Sequence, residues 1–276
     1  MFVYGDLGKA AKKLLTDNYT SDQKLTFKTT TAQKVTYTVT GVQDADTNLI
    51  SGDVSMKMGV AGHAVTTKLF TSGKLTSEVT LDRLGVEGLS VKVLGALSDS
   101  GAASAGASAE WNTPSVSATI ASDLSSKPTL RATAVAGHGG VYVGGETAYD
   151  TEKNETTVAD LSVSYADRFE SEINLQLLKK GTRALLSYGH EAAPGFAVAA
   201  QYAYDLKTHE SVLTAGTNTL LADGGSFKVK VDSLGLLSVA LKHTLHTNTT
   251  LVLSTSVDLK SEVKQTSKVG IALCIE

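Results

Sequence analysis

From Lys24 onward, hydrophobic and polar residues take turns with a period of two, in segments of about ten residues. Leu251, Leu253, Val257 and Leu259 fall on one strand face, and Val252, Ser254, Ser256, Asp258 and Lys260 on the other. Val269, Ile271, Leu273 and Ile275 repeat the pattern, as do Phe169, Ile173, Leu175 and Leu177 against Glu170, Glu172, Asn174 and Gln176. About ten residues is the length a tilted strand needs to cross a bilayer. One face of each segment suits lipid and the other suits water. A filled β core would instead bury Leu253 and Ile271.

Before Lys24 the period is helical. At 100° per residue Tyr4, Leu7, Ala11, Leu14 and Leu15 gather on one side, with Lys9, Lys12 and Lys13 opposite, which predicts an amphipathic helix over 6–15. Asp6 is positioned to cap its start, and the lysines lie toward the end that the helix dipole makes negative. A helix this short is not stable alone in water, so its apolar stripe must dock. Amphipathicity alone allows a seat inside a barrel or on a membrane surface, and Asp6 with the absence of arginine disfavours a matrix presequence.

About nineteen strands follow, centred near Phe27, Val39, Met56, Val65, Val79, Val91, Ala107, Ala118, Ala132, Val143, Leu161, Ile173, Leu186, Ala199, Thr214, Val229, Val239, Leu253 and Ile271. Short turns at Asp44 to Asn48, Ser72–Gly73, Gly137 to Gly140 and Asp223 to Gly225 separate some of them. Pro114, Pro128 and Pro194 lie beside or between strand segments, where proline is tolerated. The division is an N-terminal helical segment, 1–23, and a barrel, 24–276. Short connections make every hairpin antiparallel, so an odd strand number requires one parallel pair between first and last strands.

Composition fits this reading. The chain has 276 residues, 42% of them hydrophobic, and a mean hydropathy of +0.01. A membrane barrel has such an average because its two faces cancel. No run approaches the ~18 apolar residues of a transmembrane helix, and a closed barrel is the other structure that satisfies all backbone polar groups in lipid. The N-terminus shows no secretory signal pattern. A single cysteine, Cys274, excludes an intrachain disulfide and a cysteine-rich zinc site. The formal charge of −3, with acids and bases interspersed, gives no nucleic-acid surface.

Motifs for chemistry do not survive inspection. Asp44-Ala-Asp46-Thr-Asn48 begins like a calcium loop, but Leu49 stands where the turn glycine belongs and Ser55 where the bidentate glutamate belongs. Gly137 to Gly140 and Gly144–Gly145 read as hairpin glycines, since no helix N-terminus or Lys-Ser/Thr follows. The histidines are scattered, and His243 and His246 fall on opposite strand faces. Cys274 has no local basic cluster to create a thiolate. Nothing implies a cofactor, a metal or an enzyme.

Three stretches carry a family likeness: Tyr4-Gly-Asp-Leu-Gly-Lys9-Ala-Ala-Lys-Lys13-Leu-Leu15 with Tyr19-Thr-Ser-Asp-Gln-Lys24, the segment from Lys228 to Leu241, and Lys268-Val-Gly-Ile-Ala-Leu-Cys-Ile275. The whole chain resembles the voltage-dependent anion channels, the mitochondrial porins, and is more similar to plant and algal members than to animal ones. Barrels of that family have nineteen strands rather than an even number, and the strand count above is partly guided by this likeness. The resemblance implies an all-β transmembrane barrel with the helix in the pore. It implies a voltage-gated, weakly anion-selective diffusion pore of the mitochondrial outer membrane. The expected partners are membrane lipid, inorganic anions, small anionic metabolites such as ATP and ADP, and further copies of the chain in a homo-oligomer. The alternative is a protein-translocation or assembly barrel of the same membrane.

Lys268, Gly270, Leu273 and Ile275 also resemble the mitochondrial targeting signal of such barrels. Elsewhere the chain departs from the family. Thr219 and Ala222 replace an aromatic or histidine and an aspartate, Ser90 follows Gly88-Leu89 where a lysine is usual, and Thr67 replaces a lipid-facing glutamate of some animal members. No nucleotide-contact or glutamate-dependent docking role is therefore carried over.

Alternation assigns Lys28, Lys34, Lys57, Lys74, Lys92, Lys228 and Lys230 to the polar face, and the helix adds Lys9, Lys12 and Lys13. These are the expected pore-lining and selectivity residues, because cations along a confined path concentrate anions. Asp53, Glu78, Asp82, Glu170, Glu172 and Asp232 share that face and keep the preference weak. Phe27, Tyr37, Phe70, Trp111, Tyr165, Phe169, Tyr202 and Phe227 are expected at the membrane interfaces.

Overall fold

The computed structural model describes residues 3–82, 85–167, 171–222, 224–260 and 267–276. A 3-10 turn (Tyr4–Asp6) and a helix α1 (Lys9–Thr16) precede nineteen strands. The first strands are β1 (Gln23–Thr30), β2 (Thr36–Gln43), β3 (Ile50–Val60), β4 (His63–Phe70), β5 (Leu75–Asp82), β6 (Leu89–Leu97), β7 (Ala103–Asn112), β8 (Val116–Asp123) and β9 (Thr129–His138). Then come β10 (Val141–Asp150), β11 (Glu155–Ala166), β12 (Ser171–Leu178), β13 (Arg183–Ala193), β14 (Phe196–Asp205), β15 (Ser211–Leu220), β16 (Ser226–Asp232), β17 (Leu236–His246), β18 (Thr249–Asp258) and β19 (Lys268–Ile275). Each expected strand centre falls inside one of these strands.

Consecutive strands pair antiparallel, and β1 pairs β19 in parallel, so the sheet closes on itself. At this seam Leu25 stands beside Leu273 and Phe27 beside Ile275. A closed ladder leaves no strand edge and no unpaired row of N–H and C=O groups, which is what lipid demands.

Burial separates the two faces as the alternation requires. Leu25 (41%), Leu175 (47%), Leu253 (39%) and Ile271 (44%) are all exposed on the outside, as are many other large apolar residues. A water-soluble surface rarely carries so continuous an apolar band, whereas a lipid-facing one needs it. Of the expected interface aromatics, Phe27, Tyr37, Trp111, Tyr165, Tyr202 and Phe227 are exposed with that band. Phe70 is paired with Asp53 and so belongs to the opposite face. Phe169, Glu170 and Asp223 lie outside the described residues.

The helix differs from expectation at its start. Asp6 does not cap it; Asp6 accepts a hydrogen bond from the Lys9 ammonium at 2.7 Å. Gly8 occupies the N-cap position at φ 74°, a left-handed conformation in which a side chain would be strained, and it redirects the chain from 3-10 turn to helix. Leu7, Ala11, Leu14 and Leu15 are buried as the apolar stripe requires. They pack against the inner wall, with Ala199 of β14 in the cluster, so the helix is inside the barrel.

Gly144 and Gly145 lie within β10 and are not hairpin residues. Gly139 and Gly140 do form the β9–β10 turn, both at positive φ. The three prolines all fall between strands.

Candidate pore lining and helix seat

The face that receives the helix is the lumen, and the strand register carries that face around the barrel. Lys24, Lys28, Lys57 and Lys68 point inward on β1, β3 and β4, in register with inward threonines, serines and Val42. Lys242 on β17 and Lys268 on β19 point the same way, beside Ser226 and Ser256 respectively. Asp53 lies among them. The lumen is therefore basic around the parallel seam.

The opposite arc is acidic. Glu78, Asp82, Glu110, Glu146, Asp160, Glu172 and Glu191 point inward on β5, β7 and β10 to β13. Lys92 lies 3.5 Å from Glu110 and Arg131 lies 3.0 Å from Glu146, so these two inward cations are paired with carboxylates. The N-terminal 3-10 turn touches β9 and β10 of this arc, and the helix continues from β13 across β14 to β15 and presents Lys9, Lys12 and Lys13 to the lumen, all exposed.

The N-terminal segment crosses the wall strand by strand, and each step lands on a small or polar inward residue. A Cβ at Gly144 of β10 would stand 3.1 Å from Leu7 Cδ1. At Gly189 of β13 it would stand 3.0 Å from both the Ala10 Cβ and the Ala11 N, and at Gly216 of β15 it would stand 2.9 Å from Leu15 Cδ2. At Gly270 of β19 it would overlap the Thr20 carbonyl. These glycines are where another backbone or side chain presses on the sheet. The Ser254 hydroxyl on β18 donates to the Thr20 carbonyl as the segment leaves toward β1.

Both ends of the helix are held by the wall. The Gly8 N–H donates to Glu172 Oε1 at 2.6 Å and the Ala10 N–H to Glu172 Oε2 at 2.9 Å. The Ser164 hydroxyl donates to Oε1 at 3.1 Å. At the other end Lys228 Nζ donates to the carbonyls of Lys13 (3.1 Å) and Asp17 (3.4 Å), and Lys230 Nζ to that of Leu15 (2.8 Å). Lys230 also lies 4.3 Å from the centre of the Tyr19 ring. First-turn N–H groups and last-turn carbonyls lack intrahelical partners, and the wall supplies bonds at both ends.

The expected pore residues thus separate into groups. Lys57 is exposed on the lumen wall and Lys28 is paired with Glu276 at 2.7 Å. Lys92 is paired with Glu110, and Lys228 and Lys230 are committed to helix carbonyls. Lys34 and Lys74 lie in the β1–β2 and β4–β5 turns, outside the strand faces. Lys24, Lys68 and Lys242 were missed, although Lys68 lies two residues from Thr66 and between the outward Thr67 and Leu69, so alternation alone places it. Lys268 reaches both oxygens of Asp46, at 2.7 and 2.8 Å. Leu273 and Ile275 face out at the seam, while Gly270 faces the N-terminal segment.

Two tyrosines of the N-terminal segment are perturbed. Burial, with Asp160 and Glu146 nearby, pushes the Tyr4 phenol up to about 12. Burial alone raises Tyr19 to about 12. Both hydroxyls are shielded from solvent without a hydrogen-bond partner, which disfavours the charged phenolate. Among the described residues no group of three or more His, Cys, Asp or Glu side chains could hold a metal ion.

Nineteen strands, about 4.8 Å apart and tilted about 40°, close a cylinder about 38 Å across between backbones. Side chains on both walls and a helix about 10 Å thick leave a water path on the order of 15–20 Å.

The family model for eukaryotic porins matches residues 1–270. The chain is 27% identical over 274 residues to mitochondrial outer membrane protein porin 2 of Oryza sativa subsp. japonica, covering 99% of this chain and 96% of that one. It is 26% identical to mitochondrial outer membrane protein porin 3 of Arabidopsis thaliana, covering 99% and 97%. To mitochondrial outer membrane protein porin 1 of Oryza sativa subsp. japonica it is 28% identical over 276 residues, covering 99% and 98%.

Proposed function

The chain belongs to the eukaryotic porin family, and from that premise we propose that it is a voltage-gated, weakly anion-selective diffusion pore of the mitochondrial outer membrane. It passes inorganic ions and small anionic metabolites, nucleotides included. The observation that carries this reading is the closed nineteen-strand wall, apolar outside, with a charged lumen wider than the helix that occupies it. A pore requires no bond to be made or broken, and the protein performs no chemistry on what it passes. The names of its relatives support the membrane assigned to it.

The charges support a weak preference rather than a strict one. Anions are favoured along the basic arc at the seam and past the helix lysines, while the inward carboxylates of the acidic arc oppose them. Voltage acts on the same charges. Moving one charge fully across 100 mV involves about 2.3 kcal/mol, so a few basic groups suffice to bias an open against a partly closed state.

Planar-bilayer recording of the purified protein tests all of this. Stepwise conductance without any partner subunit, a reversal potential across a salt gradient that favours anions, and closure at both polarities are the expected results. ATP efflux from loaded vesicles is expected in parallel. A protein that is silent alone and conducts only with added subunits would favour the translocation barrel instead, and cation preference in the open state would overturn the selectivity.

A further inference from the structure

The helix is held at its two ends as well as along its buried apolar stripe. The seat beneath the stripe includes the small residues Gly189, Ala199 and Gly216, over which the helix approaches the wall closely. A carboxylate lies at the N-terminal end and two ammoniums at the C-terminal end, each matched in sign to the helix dipole. Hydrogen bonds to charged groups are roughly twice as strong as neutral ones.

We propose that Glu172 is a positioning residue: together with Lys228 and Lys230 it clamps the helix against the wall, and its carboxylate sets how readily the helix leaves its seat. Glu172 spends both oxygens on backbone N–H groups of the helix and is itself 8% exposed. The clamp spans β12 to β16, so the helix bridges strands that do not pair with each other. While the helix is seated, Glu172 and Lys228 are buried and Lys230 is half-buried. Release leaves each of the three charges bare.

The electrical part of this inference rests on the gated-pore reading, and the structural part does not. The experiment therefore has two readouts on the full chain in phospholipid nanodiscs and planar bilayers. In E172Q, amide hydrogen exchange at Gly8 and Ala10 is expected to rise about tenfold or more while strand amides keep their protection. E172D, which keeps the charge on a shorter arm, is expected to lie between E172Q and the parent. In bilayers E172Q is expected to close at lower voltage. K230M and K228M are expected to raise exchange at the C-terminal end of the helix, and E172Q combined with K230M to raise helix exchange beyond either single variant, because both act on one docking equilibrium.

Unchanged exchange at Gly8 and Ala10 in folded E172Q would overturn the proposal, even if the pore gates normally. Absence of conductance in the parent would instead defeat the pore reading and leave the exchange result standing. If E172Q does not insert, K228M and K230M carry the test from the other end, and parent-like helix protection in both would overturn it.

Discussion

Gly216 lies directly beneath Leu15, so close that a Cβ at 216 would stand 2.9 Å from Leu15 Cδ2 and 2.9 Å from the Val229 carbonyl. The leucine can be buried only because the strand has no side chain there. G216V is therefore expected to lift the helix C-terminal turn while leaving the barrel closed. Proteolysis of the refolded protein in vesicles checks this: faster cleavage within 1–20 with an intact barrel core is expected, and parent-like resistance would contradict it.

Lysines on the wall and lysines in turns are expected to differ in their effect on ion preference. Lys57 and Lys68 point into the lumen, whereas Lys34 and Lys74 lie in hairpin turns. K57E with K68E is expected to lower the anion-to-cation permeability ratio by about twofold or more, since charge acts most strongly where the path is confined. K34E with K74E is expected to change it much less. Reversal potentials across a salt gradient compare the two pairs directly.

Tyrosine titration gives a pH test of docking. Tyr4 and Tyr19 are pushed up to about 12 in the folded protein, against an ordinary value of 10.0. A phenol with a raised folded value binds its proton more tightly when docked. Docking is then unaffected below pH 10 and weakens as pH rises from about 10 to 12. Absorbance titration should show two of the nine tyrosines ionising late, one of them lost in Y4F and the other in Y19F. Retention of the full late component in Y4F would contradict the assignment.

Neighbouring residues on opposite faces should tolerate charge very differently. Leu175 faces lipid and Gln176 faces the lumen on β12. L175R is expected to cost about 2–4 kcal/mol if it lies near the bilayer midplane, while Q176R costs far less. Reversible unfolding by urea from lipid vesicles measures both. Equal costs would mean that the outward face is not in lipid.

The strands and their faces were legible because the signal is local. A period of two is written into each segment, and neighbouring segments repeat it, so Lys57, Asp53 and Leu253 could be assigned without knowing what they touch. Lys34 and Lys74 continue the alternation by number but fall where the chain turns, and periodicity does not register a turn. Gly144 illustrates a different loss: a glycine in a strand signals close approach, yet nothing nearby in sequence says that Leu7 is what approaches.

The amino-acid order alone determined a lipid-facing barrel, its strand faces and an amphipathic N-terminal helix that had to dock, because side-chain polarity and its period are properties of each stretch by itself. The tertiary structure decided where that helix lies and which charges face the water path. Glu172, Lys228 and Lys230 read as ordinary wall charges until barrel closure brings β12 and β16 around the helix. Partners separated by more than 160 residues, as Gly8 and Glu172 are, meet only when the ring of strand pairing is complete.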